Sequence, residues 1–323
     1  MTPIVNEDEL IQSIARRFPK SQSRPLRLAI GDDAALFEPH AGYETILTCD
    51  WFLEGAHFLL HKHPAEAIGW KCLARATSDI AAMGGQPRCF LLSLALPAEQ
   101  SGKWLTGFLK GLRRASKALH CELAGGDTAR RKEILVNVTV VGEIRKGRAI
   151  LRSGARPGDL LYVSGTLGEA ELGLEMLQRH SGVAHKLNPA MKKHLYPEPR
   201  LALGRWLAEK RLASAMMDLS DGLSTDLPRL CAASGVGARV HAESLPATSL
   251  VKQERAIELA LHGGDDYELL FAVRPRDTKR IPKSVAGVKL TRIGEITREK
   301  RILLIESART RVLQSGGWDP FRT

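Results

Sequence analysis

Apolar residues recur along the chain with two spacings. Near the start, Leu10, Ile11, Ile14 and Phe18 share one helical face. Asn6, followed three residues later by Glu9, has the spacing of a capping box, so a helix beginning at Asn6 is predicted. Short, nearly unbroken apolar runs predict strands at LRLAI (26–30), TILTC (45–49), CFLLSLAL (89–96) and EILVNVTVVGEI (133–144). Between them the pattern predicts a helix from Pro64 to Gly84-Gly85, and another from about Ala98 to Leu119.

The stretch GRAILRSGARPGD (147–159) mixes glycine, proline and basic residues, and the alternation restarts after it with LLYVSG. A boundary near residue 150 follows, separating a domain of 1–150 from one of 151–323; 323 residues also exceed what one core usually supports. The second half predicts a helix over 168–180, a strand entering DLSDGL, a helix ending near 234, and strands near 267–274 and 301–305. The expected class is mixed α/β in two halves, with no short-period repeat.

Composition is that of an ordinary globular protein, 44% hydrophobic and 26% charged. The longest apolar run, CFLLSLALP, has the length of a buried strand and is too short to cross a bilayer. The N-terminal residues carry acids where a secretory peptide needs basic residues and an apolar core. Five cysteines, odd in number and without a C-x-x-C pair, argue against a disulfide framework or zinc site and fit a reducing cytoplasm. The net charge of +11 suits either nucleic-acid binding or attraction of polyanionic metabolites.

In this basic chain the acids gather at strand ends and glycine turns. They are Asp32 and Asp33 in IGDDAALF, Asp50 after TILTC, Asp127 in AGGDT, Asp218 and Asp221 in MMDLSDG, and Asp265 and Asp266 in GGDDYELLF. Asp79 sits late on the 64–84 helix. Carboxylates at strand ends of an α/β protein project toward ligands, repel one another, and call for a compensating cation; magnesium takes oxygen ligands and shares them with phosphates. For any single site the plainer reading is equally open: aspartate beside glycine closes turns, and Asp79, with Lys71 and Arg75 at four-residue spacing, fits a solvated salt-bridge ladder. The sequence contains no G-x-x-x-x-G-K-S/T, G-x-G-x-x-G, G-x-S-x-G or H-E-x-x-H pattern.

Together the motifs GDDAAL, TCDWFLEGAHF, SDIAAMGGQP, AGGDTAR, LRSGARPGD, MDLSDGLSTDL, GGDDYEL and GGWDPF, in this order, resemble the thiamine-monophosphate kinase family of the aminoimidazole-ribonucleotide synthetase-like superfamily. The resemblance implies two α/β domains, a homodimer formed through the N-terminal sheet, an active site in the cleft between the domains, and ATP-dependent phosphorylation of thiamine monophosphate assisted by several Mg2+ ions. By matching motif it implies metal contacts for Asp33, Thr48, Cys49, Asp50, Asp79, Asp127, Asp218 and Asp221. Gly126, Asp127, Arg152 and Ser220 are implied for ATP, and His57, Asp265 and Trp318 for the thiamine side. No side chain is implied as a general base, because the acceptor is already a phosphate. Two positions depart from the family's pattern. Cys49 stands where threonine or serine is common, and Asp265 where glutamate is, one methylene longer.

Plainer readings remain for two of these: Trp318 as a tail anchor packed on the core, and His57, beside Phe58 and Leu59, as a satisfied core histidine. Two rival functions also stand. One is a synthetase of the same superfamily acting on another small molecule. The other is a nucleic-acid-binding protein, suggested by Arg113-Arg114, Arg130-Arg131-Lys132 and 298–301, although these basic clusters are scattered and aromatics make up only 5% of the chain.

Overall fold

Asn6 caps the first helix, α1 (Glu7–Ala15): its Oδ1 accepts the Glu9 N–H at 2.9 Å in the computed structural model, which describes residues 6–18, 25–30, 33–183, 186–307 and 309–321. Leu10, Ile14 and Phe18 turn inward, while Ile11 stays 39% exposed. The chain forms two compact units. The first takes the described residues up to Ile80, then Gln86–Lys146 and Leu177–Leu187; the second takes Ala81–Gly85, Gly147–Met176 and the residues from Asn188 onward.

In the first unit β1 (Leu26–Leu28) pairs antiparallel with β2 (Leu36–Phe37). β3 (Tyr43–Leu53), α2 (Ala65–Ala82), β4 (Gln86–Leu96), α3 (Lys103–Ala118), β5 (Glu122–Arg130) and β6 (Leu135–Arg145) follow. The sheet order is β3-β6-β4-β5, antiparallel except where α3 carries the chain across to the parallel pair β4–β5. Side chains of period two sort onto two faces. Ile46, Phe52, Phe90, Leu92, Val138 and Val140 are buried on one of them. On the other, Leu47 is 70% exposed, Trp51 55% and Leu91 39%.

Three sequence expectations change here. β3 does not end at Cys49, because Trp51 and Phe52 continue the ladder opposite Asn137 and Val136; Asp50 is therefore inside the strand. AGGDT is strand as well, since Gly126 and Asp127 pair with Leu92 and Ser93 along β5. The helix expected from Ala98 breaks: Ala98–Gln100 forms a 3-10 turn closed by Ser101 Oγ on the Ala98 carbonyl (2.6 Å), and α3 starts only after Gly102.

The second unit contains β7 (Leu160–Ser164), most of α4 (Glu169–Arg179), α5 (Pro189–Leu195), α6 (Leu201–Lys210), β8 (Ala213–Leu219), α7 (Leu223–Ser234) and β9 (Gly237–His241). Beyond these lie α8 (Gln253–His262), β10 (Glu268–Val273), β11 (Ser284–Val285), β12 (Val288–Thr297), β13 (Ile302–Glu306) and β14 (Arg309–Val312). Its sheet runs β14-β13-β9-β12-β7-β10-β8 with β11 attached to β12. Leu161, Leu219, Leu227, Val240, Leu270 and Ile293 belong to its core. Among the described residues no helix is long and apolar enough to cross a membrane.

The packing of α2 on α3 depends on missing side chains. A Cβ on Gly69 would lie 1.9 Å from the Phe108 carbonyl oxygen, and one on Gly111 would lie 1.8 Å from that of Glu66. Neither neighbour is a flexible side-chain tip, so the helices would have to separate. Gly69→Ala is expected to lower unfolding stability by about 1–3 kcal/mol despite alanine's better helix propensity, as read by denaturant titration. A neutral or stabilising effect would contradict this packing.

Candidate active site

In the first unit, α2 runs beside β3 so that residues one helical turn apart meet strand residues two apart. Thr48 Oγ1 donates to Asp79 Oδ2, and Arg75 Nε lies 3.6 Å from Asp50 Oδ2, while the Arg75 guanidinium stacks 5.4 Å from the Phe52 ring centre. Thr48, Asp50 and Asp79 thus share one side of the sheet. Alternation puts Cys49 on the other side, where its thiol meets the Asn137 amide (3.1 and 3.3 Å). The thiol is thus on the opposite side from Thr48, Asp50 and Asp79.

Asp127 is not beside Asp50 either. β5 and β3 are the opposite edges of the sheet, three strand spacings or about 14 Å apart. In register, Asp127, Ser93, Asn137 and Trp51 follow one another across the open face. Gly126 is required where it is: a Cβ there would sit 1.9 Å from the Leu92 carbonyl oxygen. Asp33 is exposed on the connection between β1 and β2, and Asp32 lies outside the described residues. His57 follows β3 in a tight turn in which its Nδ1 accepts the Leu53 N–H at 3.1 Å, so the neutral ring carries its proton on Nε2. The ring lies 5.9 Å from that of Phe52.

In the second unit β8 delivers Asp218, 4% exposed, to its C-terminal end opposite Leu269. The chain then turns through Ser220, Asp221 and Gly222 into α7. Gly222 has φ +101, and a Cβ on it would meet the His262 and Gly263 carbonyls at about 3 Å. The turn is fixed by Asp226, a buried residue in the first turn of α7. Its Oδ2 accepts the N–H groups of Ser220 (3.1 Å) and Asp221 (3.0 Å). Arg229 Nη1 bridges Asp226 Oδ1 (2.7 Å) and Asp221 Oδ2 (2.5 Å). Burial, and after it the Asp221 charge, push the Asp226 carboxyl up to about 6.

Three further segments converge on this turn. The Asp265 N–H bonds the Ser220 carbonyl at 2.8 Å. The C-terminal tail lies along α7: Gly316 N donates to Ser224 Oγ, Gly317 N to Thr225 Oγ1 (both 3.2 Å), and Trp318 N to the Asp221 carbonyl at 3.0 Å. Gly317 permits this approach, for its Cβ would fall 1.9 Å from the Asp221 carbonyl oxygen. Trp318 is 47% exposed and so is not a buried anchor. Asp218, Ser220, Asp221, Asp265 and Trp318 are thus gathered. Arg152 is exposed and set apart, beside Ser234 at the far end of α7, whose Oγ donates to its carbonyl at 3.0 Å.

The second Gly-Asp-Asp divides its labour. Asp266 caps α4, accepting the Gly168 N–H at 2.7 Å, and burial drives its carboxyl up to about 7. Glu268 is buried yet ionised. Despite the burial, which alone would raise it, Arg200 (2.7 and 2.5 Å) and Lys193 (2.7 Å) hold it down at about 2, and the Ser164 hydroxyl donates to it at 2.6 Å.

Sequence reasoning missed Asp226, Arg229, Tyr267 and His194. Only Asp226 carried a usable signal, as an acid in the first turn of a helix that follows a glycine turn.

Among the described residues, no group of three or more His, Cys, Asp or Glu side chains is poised to hold a metal ion unaided. The oxygen donors come in small sets, Thr48 with Asp50 and Asp79, and Asp218 with Asp221. Such hard donors suit magnesium, which keeps several waters and is held by one or two carboxylates together with substrate phosphates.

The model of the AIR synthase related protein N-terminal domain matches residues 31–144, and that of the C-terminal domain matches 156–305. The chain is 37% identical to thiamine-monophosphate kinase of Synechococcus elongatus, covering 91% of each chain. To the Bacillus subtilis protein of the same name it is 35% identical, covering 98% of this chain and 100% of that one. Its fold is similar to that of AaThiL complexed with AMPPCP and TMP, with TM-score 0.75, 31% identity, and coverage of 97% and 95%.

The two perturbed acids beside Asp265 make opposite contributions to stability. Glu268, lowered to about 2 from 4.5, stabilises the fold above its unfolded value and loses that contribution as pH falls toward 2. Asp266, raised to about 7 from 3.8, stabilises below 3.8 and loses that contribution as pH rises through 7. The stability of Asp266→Asn relative to wild type is therefore expected to grow by more than about 1 kcal/mol between pH 4 and pH 7 in denaturant titrations. A difference independent of pH would contradict the burial of the Asp266 carboxyl.

Proposed function

The chain belongs to the thiamine-monophosphate kinase family, within the AIR synthase related proteins, and we infer that it transfers the γ-phosphoryl group of ATP to thiamine monophosphate, giving thiamine diphosphate and ADP. The observation that carries this reading is the near full-length likeness to AaThiL, complexed with the ATP analogue AMPPCP and with TMP.

The chemistry asks for alignment more than for acid–base work. The acceptor phosphate is already ionised at neutral pH and needs no base. Its difficulty is repulsion: two unit charges 4 Å apart cost about 4 kcal/mol at an effective dielectric of 20. Bound magnesium supplies the charge that neutralises phosphate oxygens in a loose, in-line transition state. The residues proposed to hold it are Asp33, Thr48, Asp50, Asp79, Asp127, Asp218 and Asp221, with the Cys49 carbonyl. The Thr48 hydroxyl orients Asp79, and Asp226 with Arg229 orients Asp221. Gly126, Asp127, Arg152 and Ser220 are proposed for the nucleotide. On the acceptor side, Trp318 offers an aromatic face to the thiazolium cation, His57 an Nε2–H donor and Asp265 a carboxylate.

A homodimer through the first unit's open face also belongs to this reading. Leu47, Trp51 and Leu91 expose apolar area there, of the kind that marks an interface. We further propose a cytoplasmic location, in keeping with five free cysteines.

Incubation with ATP, Mg2+ and thiamine monophosphate should yield thiamine diphosphate on chromatography, and an untouched acceptor would sink the assignment. Asp50→Asn and Asp221→Asn should each lower kcat at least about 100-fold, the effect of losing roughly 3 kcal/mol of transition-state charge stabilisation, with thermal unfolding little changed. Near wild-type turnover in either variant would remove that residue from the metal set. Trp51→Glu should convert dimer to monomer in sedimentation; a wild-type value that is already monomeric would refute the interface.

A further inference from the structure

Asp265 and Tyr267 both have positive φ, +64 and +51. Aspartate tolerates the left-handed region, but a bulky tyrosine in it is an outlier, and such strain persists only where the surroundings over-determine it. Here they do. The Asp265 and Tyr267 N–H groups bond the Ser220 and Leu219 carbonyls, each at 2.8 Å, which ties the strained turn to the end of β8. The Tyr267 ring is 2% exposed, and its hydroxyl donates back to Asp265 Oδ1 at 2.7 Å. On the other oxygen, His194 Nδ1, from the buried face of α5, lies 3.7 Å from Asp265 Oδ2. The Asp265 side chain stays 29% exposed between them, and Glu171, on α4, lies near enough for the Asp265 charge to help raise its carboxyl, after burial.

We propose that Tyr267 and His194 are positioning residues that hold the Asp265 carboxylate in one orientation, with its remaining lone pairs presented to a hydrogen-bond donor on the heterocyclic part of the acceptor. An aspartate at this position reaches one methylene less far than a glutamate would. The strained turn fixes the backbone that carries it, the phenol bonds one carboxylate oxygen, and the imidazole flanks the other. The inference rests on the kinase reading above.

Steady-state kinetics of Tyr267→Phe test it, because this change keeps the ring that fills the core and deletes only the donor. The KM for thiamine monophosphate should rise about tenfold, with kcat and the KM for ATP within about twofold of wild type. In an Asp265→Ala background the same substitution should add less than about twofold, since the carboxylate it orients is gone. His194→Gln should raise the same KM selectively and serves as the readout if the Tyr267 variant melts far below wild type. An unchanged KM in a folded variant, or full additivity with Asp265→Ala, overturns the positioning role while leaving the kinase assignment standing. Wild-type protein that does not phosphorylate thiamine monophosphate overturns both.

Discussion

Mutual repulsion among carboxylates is the constraint on which the arrangement of this chain depends. Acids proposed to hold cations near phosphate must stand close together and partly out of water, where each raises the energy of its neighbours. The chain meets this locally rather than through its overall surplus of 11 positive charges. Arg229 sits between Asp221 and Asp226, Arg75 flanks Asp50, the Thr48 hydroxyl bonds Asp79, and Arg200 with Lys193 encloses Glu268. The charged groups are therefore oriented by fixed partners, as catalysis by preorganised electrostatics requires.

Backbone geometry sets which of these groups meet. α2 lies along β3, and its 3.6-residue turn matches the strand's two-residue repeat closely enough that positions 75 and 79 face positions 50 and 48. In the second unit a single turn, Ser220 to Gly222, receives β8, α7, the Asp265 loop and the C-terminal tail. Three glycines make that crowding possible, since Gly222, Gly264 and Gly317 each approach a carbonyl oxygen within 3.0 Å of where a Cβ would be.

Much of the mixed α/β architecture was legible in the sequence, because strands such as 86–96 and 135–145 are long apolar runs and the helix 65–82 is bounded by proline and glycine. What escaped was strand that does not look apolar. β5 is ELAGGDTAR, an edge strand whose glycines accommodate a close neighbour, and its composition is that of a turn. The candidate residues were legible as a family pattern, yet their grouping was not. Nothing in AGGDT reveals that Asp127 occupies the opposite sheet edge from Asp50, and nothing in GGDDYEL separates Asp265, held in a strained turn, from Asp266, buried as a helix cap. His194 gave no signal because it meets Asp265 across a long sequence separation, and Tyr267 gave none because residue type does not disclose its backbone angle.

The most direct test of the account is calorimetric titration of Mg2+ into the protein with and without AMPPCP and thiamine monophosphate. With only small donor sets on the described residues, the account predicts weak magnesium binding to the protein alone. Once both phosphate-bearing ligands are present, binding should be tight and multi-site, and replacing Asp50 or Asp221 should abolish part of it. Tight binding without the ligands, or binding in their presence that survives both replacements unchanged, would contradict the claim that these carboxylates hold metal jointly with phosphate.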